Sequence, residues 1–154
     1  MGTMKTASGT SVMGWGYEGK TPADLISDSQ SWGIKTVVDV RLTPLSRKAG
    51  FSKRGLAAHL EANGIDYVHL PALGNPRDNR AGFADTTGLA GRDARERFGV
   101  EVLEDPSAID ALDALIELAD HGSVLLLCFE ANEGTCHRRM VLDALRERYR
   151  ALVR

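Results

Sequence analysis

The chain has only two cysteines, Cys128 and Cys136, in 154 residues, too few for the disulfide framework of a small secreted protein. It has no apolar run approaching the roughly 18 residues of a membrane span, which argues against a membrane partner. Residues 1–10 carry no apolar core of the kind a secretory leader needs, so they read as a flexible N-terminus. A reducing, cytoplasmic setting is the expectation from these absences. An excess of one charge sign is missing too. The formal net charge is −2, so any attraction to anions has to come from local clustering. No internal repeat or low-complexity tract interrupts the chain. At 43% hydrophobic, its length supports one domain with a full core, over about 11–152, and not two.

What is present is an alternation of short apolar strands with helical segments. Ser11–Gly16 reads as a first short strand, followed by a glycine-marked loop holding Tyr17 and Glu18. Thr21 as N-cap, Pro22 at the first helical position and Asp24 in the first turn open a helix that Gly33 stops after Trp32. The β-branched run Lys35–Val40 predicts a central strand delivering Asp39 and Arg41 to its carboxyl end. Ser52 is the expected cap of a helix reaching Asn63, and Asp66–Leu70 a further strand. The interval 71–91, rich in Gly, Asn, Asp and Pro, is too long for a plain connector and predicts a loop excursion over the strand ends, a candidate lid. A short helix around Arg92–Phe98 precedes a longer one opened by Asp105-Pro106, whose Ile109, Leu112, Leu115, Ile116 and Ala119 form an apolar stripe. Val124–Leu127 is uninterrupted and suits a strand buried on both faces, with a last helix over about Cys136–Leu152. The alternation predicts a single α/β domain: a mostly parallel sheet flanked by helices, with Rossmann-like layering.

The chemistry-bearing residues gather at the predicted carboxyl ends of the strands, where open α/β sheets hold ligands. Glu130, Cys136, His137 and Asp39 are the catalytic candidates, and Arg41, Arg47, Arg138, Tyr17 and Glu18 the substrate- or anion-binding ones. Cys136 at a helix start beside His137 and Arg138 would feel the positive end of the dipole, which lowers a thiol pKa; it is either an activated thiolate, an anion clamp or a half-buried small residue. Glu130 and Asp39 are either proton carriers or ion-pair partners of Arg41 or Arg138. Arg41 and Arg138 are read as surface charges whose removal costs little stability. Cys128 reads as a buried strand-end residue. The segment from Arg41 to Arg54 holds Arg41, Arg47, Lys48, Lys53 and Arg54 with no acidic residue, a local field suited to phosphate or nucleic acid. Cys128 and Cys136 lie at no regular zinc spacing, so no metal site is assigned. Gly14, Gly16 and Gly19 match the spacing of a dinucleotide fingerprint, but Glu18 inside it would bring a carboxylate against the pyrophosphate; no cofactor is assigned.

Together these motifs make the chain resemble a known family. Gly14-Trp15-Gly16-Tyr17-Glu18-Gly19, Val38-Asp39-Val40-Arg41 with Pro44 and Ser46-Arg47, Gly50-Phe51-Ser52, Ile65–Pro71 with Leu73-Gly74, and Cys128-Phe129-Glu130 with Cys136-His137-Arg138 resemble the family called domain of unknown function 488. The resemblance runs from about Met13 to Tyr149 and implies a compact cytosolic α/β domain, without implying a reaction. The residues themselves point to binding or processing of a phosphorylated or otherwise anionic partner, a small molecule or a nucleic acid, at the strand ends. The competing expectation is a non-catalytic nucleic-acid or protein-binding module using loop 41–54.

Overall fold

A strand covered on both faces can be apolar at successive positions, and the runs at 34–39 and 123–128 meet that condition. In the computed structural model, which describes residues 2–153, they are adjacent inner strands, β3 (Ile34–Asp39) and β5 (Ser123–Cys128). With β1 (Thr3–Lys5), β2 (Ser11–Gly16) and β4 (Asp66–His69) they form one sheet in the order β1-β2-β5-β3-β4, parallel except at β1.

Side-chain alternation then assigns the two faces. Val37, Leu125 and Leu127 join Trp15 in packing against α1 (Pro22–Ser31) and α2 (Lys53–Glu61). Val38, Val124, Leu126 and Cys128 pack on the other side against α3 (Leu89–Arg97), α4 (Pro106–His121) and α5 (Arg138–Leu152). Leu125, Leu126 and Leu127 are fully buried, each contributing about 1.5–3 kcal/mol, so β5 anchors both layers.

Local sequence sets the element ends. Thr21 and Asp24 form a reciprocal capping box, and Gly33 takes the left-handed φ of +64° that lets the chain turn from α1 into β3. Asp105 caps α4 through Ser107 N. Ser52 precedes α2 as expected but does not cap it: its hydroxyl accepts from Ser46 N at 3.0 Å and donates to Ser46 O, tying the basic loop together instead.

Part of the stretch 1–10 read as flexible is ordered, Met1 lying outside the described residues. Thr3–Lys5 pairs antiparallel with β2, and Met4, 4% exposed, joins the core. The interval after β4 is more ordered than a plain loop: 3₁₀ turns at Pro71–Leu73, Arg77–Asn79 and Ala81–Ala84 bury Leu73 and Phe83. It then enters α3 at Leu89, earlier than expected, and a π-helical turn at Phe98–Leu103. Among the described residues no helix is long and apolar enough to cross a membrane.

The topology creates the crevice. Strands β2 and β3 lead into α1 and α2 on one face, whereas β5, lying between them, leads into α5 on the other. The loops diverge at their carboxyl ends, the position where open α/β sheets bind ligands.

Candidate functional site

Three segments meet at that crevice: the loop after β5, the basic loop after β3, and the 71–88 excursion. They enclose a cleft of about 410 Å³ lined by Tyr17, Arg41, Arg47, Lys48, Asn75, Arg80, Cys128, Glu130, Thr135 and His137 together with Phe83 and Phe129. The floor follows from β5 pointing alternate side chains at one layer. Cys128, its last residue, faces the layer of α5, and His137 sits immediately before that helix.

His137 is buried, and its Nε2 lies 2.8 Å from Val40 O. A carbonyl only accepts, so Nε2 carries a proton and Nδ1 is turned inward. Nδ1 stands 3.7 Å from Cys128 Sγ and 3.8 Å from Cys136 Sγ. Phe98 packs edge-on against the imidazole, with ring centroids 5.4 Å apart. Glu130 Oε2 lies 3.6 Å from Cys128 Sγ. Thiols, imidazole and carboxylate are thus grouped at one end of the cleft, a set able to move protons or to hold a soft metal ion.

The rim is cationic. Among the described residues Arg47, Lys48 and Arg80 form no ion pair, and Glu130 is the only carboxylate lining the cleft. Asn75 Oδ1 accepts from Asn79 Nδ2 at 3.0 Å, which fixes the amide at the cleft wall.

Arg41 and Arg138 are not the surface charges expected. Arg41 is 3% exposed and grips Asp39 twice, Nε to Oδ1 at 2.8 Å and Nη2 to Oδ2 at 2.7 Å, while Nη1 donates to Phe51 O. Asp39, fully buried, also accepts from Tyr67 Oη at 2.6 Å. Burial and the Asp39 carboxylate push the Tyr67 hydroxyl above its ordinary range, and the same carboxylate holds Arg41 charged against the opposing effect of burial. Asp39 is therefore the buried anchor of the basic loop; only the edge of Arg41 reaches the cleft. Arg138, 1% exposed, turns back to donate to the carbonyls of Glu130 and Ala131 and lies 3.7 Å from Glu133. It holds the loop carrying Glu130 and is closed off from ligand.

Cys136 departs from its expected place as well. Its backbone is extended, it precedes His137 and the start of α5, and it is 2% exposed. Burial, with the neighbouring Cys128 thiol, pushes its pKa up, the reverse of the lowering expected at a helix start. Tyr17 is buried at the cleft wall, stacked on Phe51 at 4.6 Å. Glu18 is exposed outside the cleft, where its Oε1 accepts from Ala131 N and clasps the loop after β5.

Two of the three glycines that mimic a dinucleotide fingerprint have a packing cause, and the third, Gly19, takes a left-handed φ of +72° in open space. A Cβ on Gly16 would fall 1.9 Å from Glu130 O, and one on Gly14 would fall 2.1 Å from Glu133 Oε1. Their bare faces seat the loop after β5, leaving no space there for a pyrophosphate.

Sequence reading underrated Cys128, Lys48, Arg80, Asn75 and Thr135. For Cys128 the signal was present: period-2 alternation from Val124 puts it on the α5 face at the strand's functional end. Arg80 and Asn75 gave none, because the fold of a long turn-rich segment is set by tertiary packing.

Layered helices around a mostly parallel sheet, with a cation-rimmed cleft at the strand ends, define the class: a single α/β domain built to present a polar pocket. Residues 21–145 match the model of the family described as Domain of unknown function DUF488, and the chain belongs to that family. No curated protein and no solved structure matches it.

Proposed function

We propose that the cleft binds a small phosphorylated or otherwise anionic molecule, such as a nucleotide or a nucleic-acid end, and that Glu130 with His137 moves protons on it. The observation carrying this reading is the convergence of Arg47, Lys48 and Arg80, free of carboxylate partners among the described residues, on one cleft of about 410 Å³. That volume suits a ligand of small-molecule size, and Phe83, Phe129 and Tyr17 add aromatic surface beside the charges. The free thiols of Cys128 and Cys136 beside His137 fit a reducing compartment, so a cytoplasmic location belongs to the same proposal.

The basic loop as a nucleic-acid or protein-binding strip has less support. Its charges diverge: Arg41 is buried on Asp39, Arg47 and Lys48 line the cleft, and Lys53 and Arg54 project from the first turn of α2. A phosphodiester backbone needs a continuous stripe.

Calorimetric titration with inorganic phosphate, nucleoside monophosphates and a 5′-phosphorylated oligonucleotide tests the reading. At least one should bind, and Arg47→Ala or Arg80→Ala should weaken it by about tenfold or more, the loss of one charged hydrogen bond. Absence of binding across the panel, or affinities indifferent to both substitutions, would refute it. A steep loss of oligonucleotide affinity with salt, shared by Lys53→Ala and Arg54→Ala, would favour the strip instead.

A further inference from the structure

We infer that Cys128, Cys136 and His137 form a three-ligand transition-metal site, with zinc(II) the ion its donors suit best, at the floor of the cleft and open to it on one side. The site is independent of anion binding at the cationic rim, but it takes His137 out of proton transfer and leaves that role to Glu130.

The three donor atoms, two Sγ and one Nδ1, all lie within 4.8 Å of one another. A tetrahedral ion with Zn–S near 2.3 Å and Zn–N near 2.0–2.1 Å needs donor–donor separations of about 3.5–3.8 Å. The imidazole already stands 3.7 and 3.8 Å from the two sulfurs, so those separations change by tenths of an ångström when an ion is seated, while the sulfurs, within 4.8 Å of each other, close by at most about 1 Å.

The tautomer is set for coordination. Nε2–H donates to Val40 O, which leaves Nδ1, aimed at the sulfurs, as the nitrogen placed to coordinate; metal-bound histidines ordinarily hold their second nitrogen in this way. Phe98 against the ring, and the near-complete burial of all three residues, restrict their motion and limit water on every side but the cleft.

A thiol–imidazole dyad explains less. One lone pair on Nδ1 accepts one S–H, so a dyad needs one thiol, yet two converge on it from separate segments, the end of β5 and the stretch before α5. A ligand set accounts for both. Two thiolates and an imidazole are soft to borderline donors, favouring zinc over magnesium or calcium. Cys128, His137 and Glu130 line the cleft, so the fourth position faces it, and the Glu130 carboxylate 3.6 Å from Cys128 Sγ is placed either to fill that position or to take a proton from water bound there. The eight-residue step from Cys128 to Cys136 resembles no compact zinc motif because a strand end, a 3₁₀ turn and a helix start, rather than one loop, bring the ligands together.

The test uses the full chain, reduced and stripped of metal, with no anionic ligand present. Titration with zinc against a chromophoric chelator should give one site per chain, and cobalt(II) should give the visible bands of a tetrahedral ion together with a thiolate charge-transfer band. Cys128→Ser and His137→Gln should each weaken zinc by more than the roughly 10–100-fold that loss of an outer-shell partner costs. Where a variant fails to fold by circular dichroism, the unaltered protein supplies the second readout: zinc should protect both thiols from a disulfide reagent, and a chelator should restore their reactivity. No stoichiometric zinc, a cobalt spectrum lacking the thiolate band, or thiol reactivity indifferent to zinc would overturn the assignment. Phosphate binding is measured separately, so either reading can fail without the other.

Discussion

Arg41→Ala is the substitution for which surface and buried readings diverge most. The side chain contributes both hydrogen bonds of its fork to Asp39 and one to Phe51 O, with arginine and carboxylate side chains 4% and 0% exposed. Truncation leaves Asp39 inside the protein with only the Tyr67 hydroxyl and the backbone N–H of residue 41 facing its negative charge. Stranding one partner of a buried pair costs about 3–5 kcal/mol. For a domain whose whole stability is about 5–15 kcal/mol, that is a large fraction of the total. At about 2–4 °C per kcal/mol for a chain of this size, the melting temperature should fall by about 6–20 °C. Urea unfolding followed by circular dichroism measures the loss as a lowered midpoint at unchanged slope. Asp39→Ala should also destabilise, and the double variant should be more stable than the sum of the two losses implies, by about 1–3 kcal/mol. A loss below about 1 kcal/mol for Arg41→Ala, or strict additivity in the cycle, would refute the buried-pair account.

Tyr67 donates to the same carboxylate and its pKa is raised, so the unfolded chain ionises it first; the stability this provides is complete below about pH 10 and declines as pH climbs further. The alkaline decline should be shallower in Tyr67→Phe, and urea midpoints at successive pH values check it; identical slopes would count against the hydrogen bond. Gly16→Ala, with its Cβ directed at Glu130 O, should cost at least about 1–3 kcal/mol and displace the Glu130 loop, read as a lowered thermal midpoint; a neutral effect would mean the loop does not pack on β2 as described. In metal-free protein an alkylating reagent at neutral pH should modify Cys128, at the cleft wall, before the enclosed and pKa-raised Cys136, as peptide mapping of a time course would reveal; the opposite order would restore the activated-thiolate view of Cys136.

Where apolar periodicity carries the information, the sequence is a good guide to this fold. The β-branched run before Asp39, the leucines of β5, the stripe on α4 and the capping residues at Thr21 and Asp105 each predict an element the structure contains. The layered α/β architecture follows from their alternation. Polar residues are a different matter, because a charge buried on a partner and a charge in water look the same in one dimension. Arg41 lies two residues from Asp39, and Arg138 turns back onto carbonyls seven and eight residues earlier; only the folded backbone distinguishes such contacts from exposure. Cys136 was misjudged for a related reason, since the 3₁₀ turn at Glu133–Thr135 delays α5 until Arg138 and takes the thiol out of the helix's field. The short β1 has three residues and almost no pattern of its own; it exists because β2 offers an edge and the core a place for Met4.

The strand order also dictates a schedule for synthesis. Strands β2 and β3 emerge early, yet neither bonds the other; each waits for β5, which comes after residue 122. Until then the nascent chain carries two unpaired edges on either side of an empty slot, the condition in which a foreign strand can add and aggregation begins. Insertion of Ser123–Cys128 closes both edges at once and carries Cys128 to the crevice in the same movement. A ribosome-bound intermediate thus has no cleft floor, and the chemistry of the site becomes available only with the last strand to arrive.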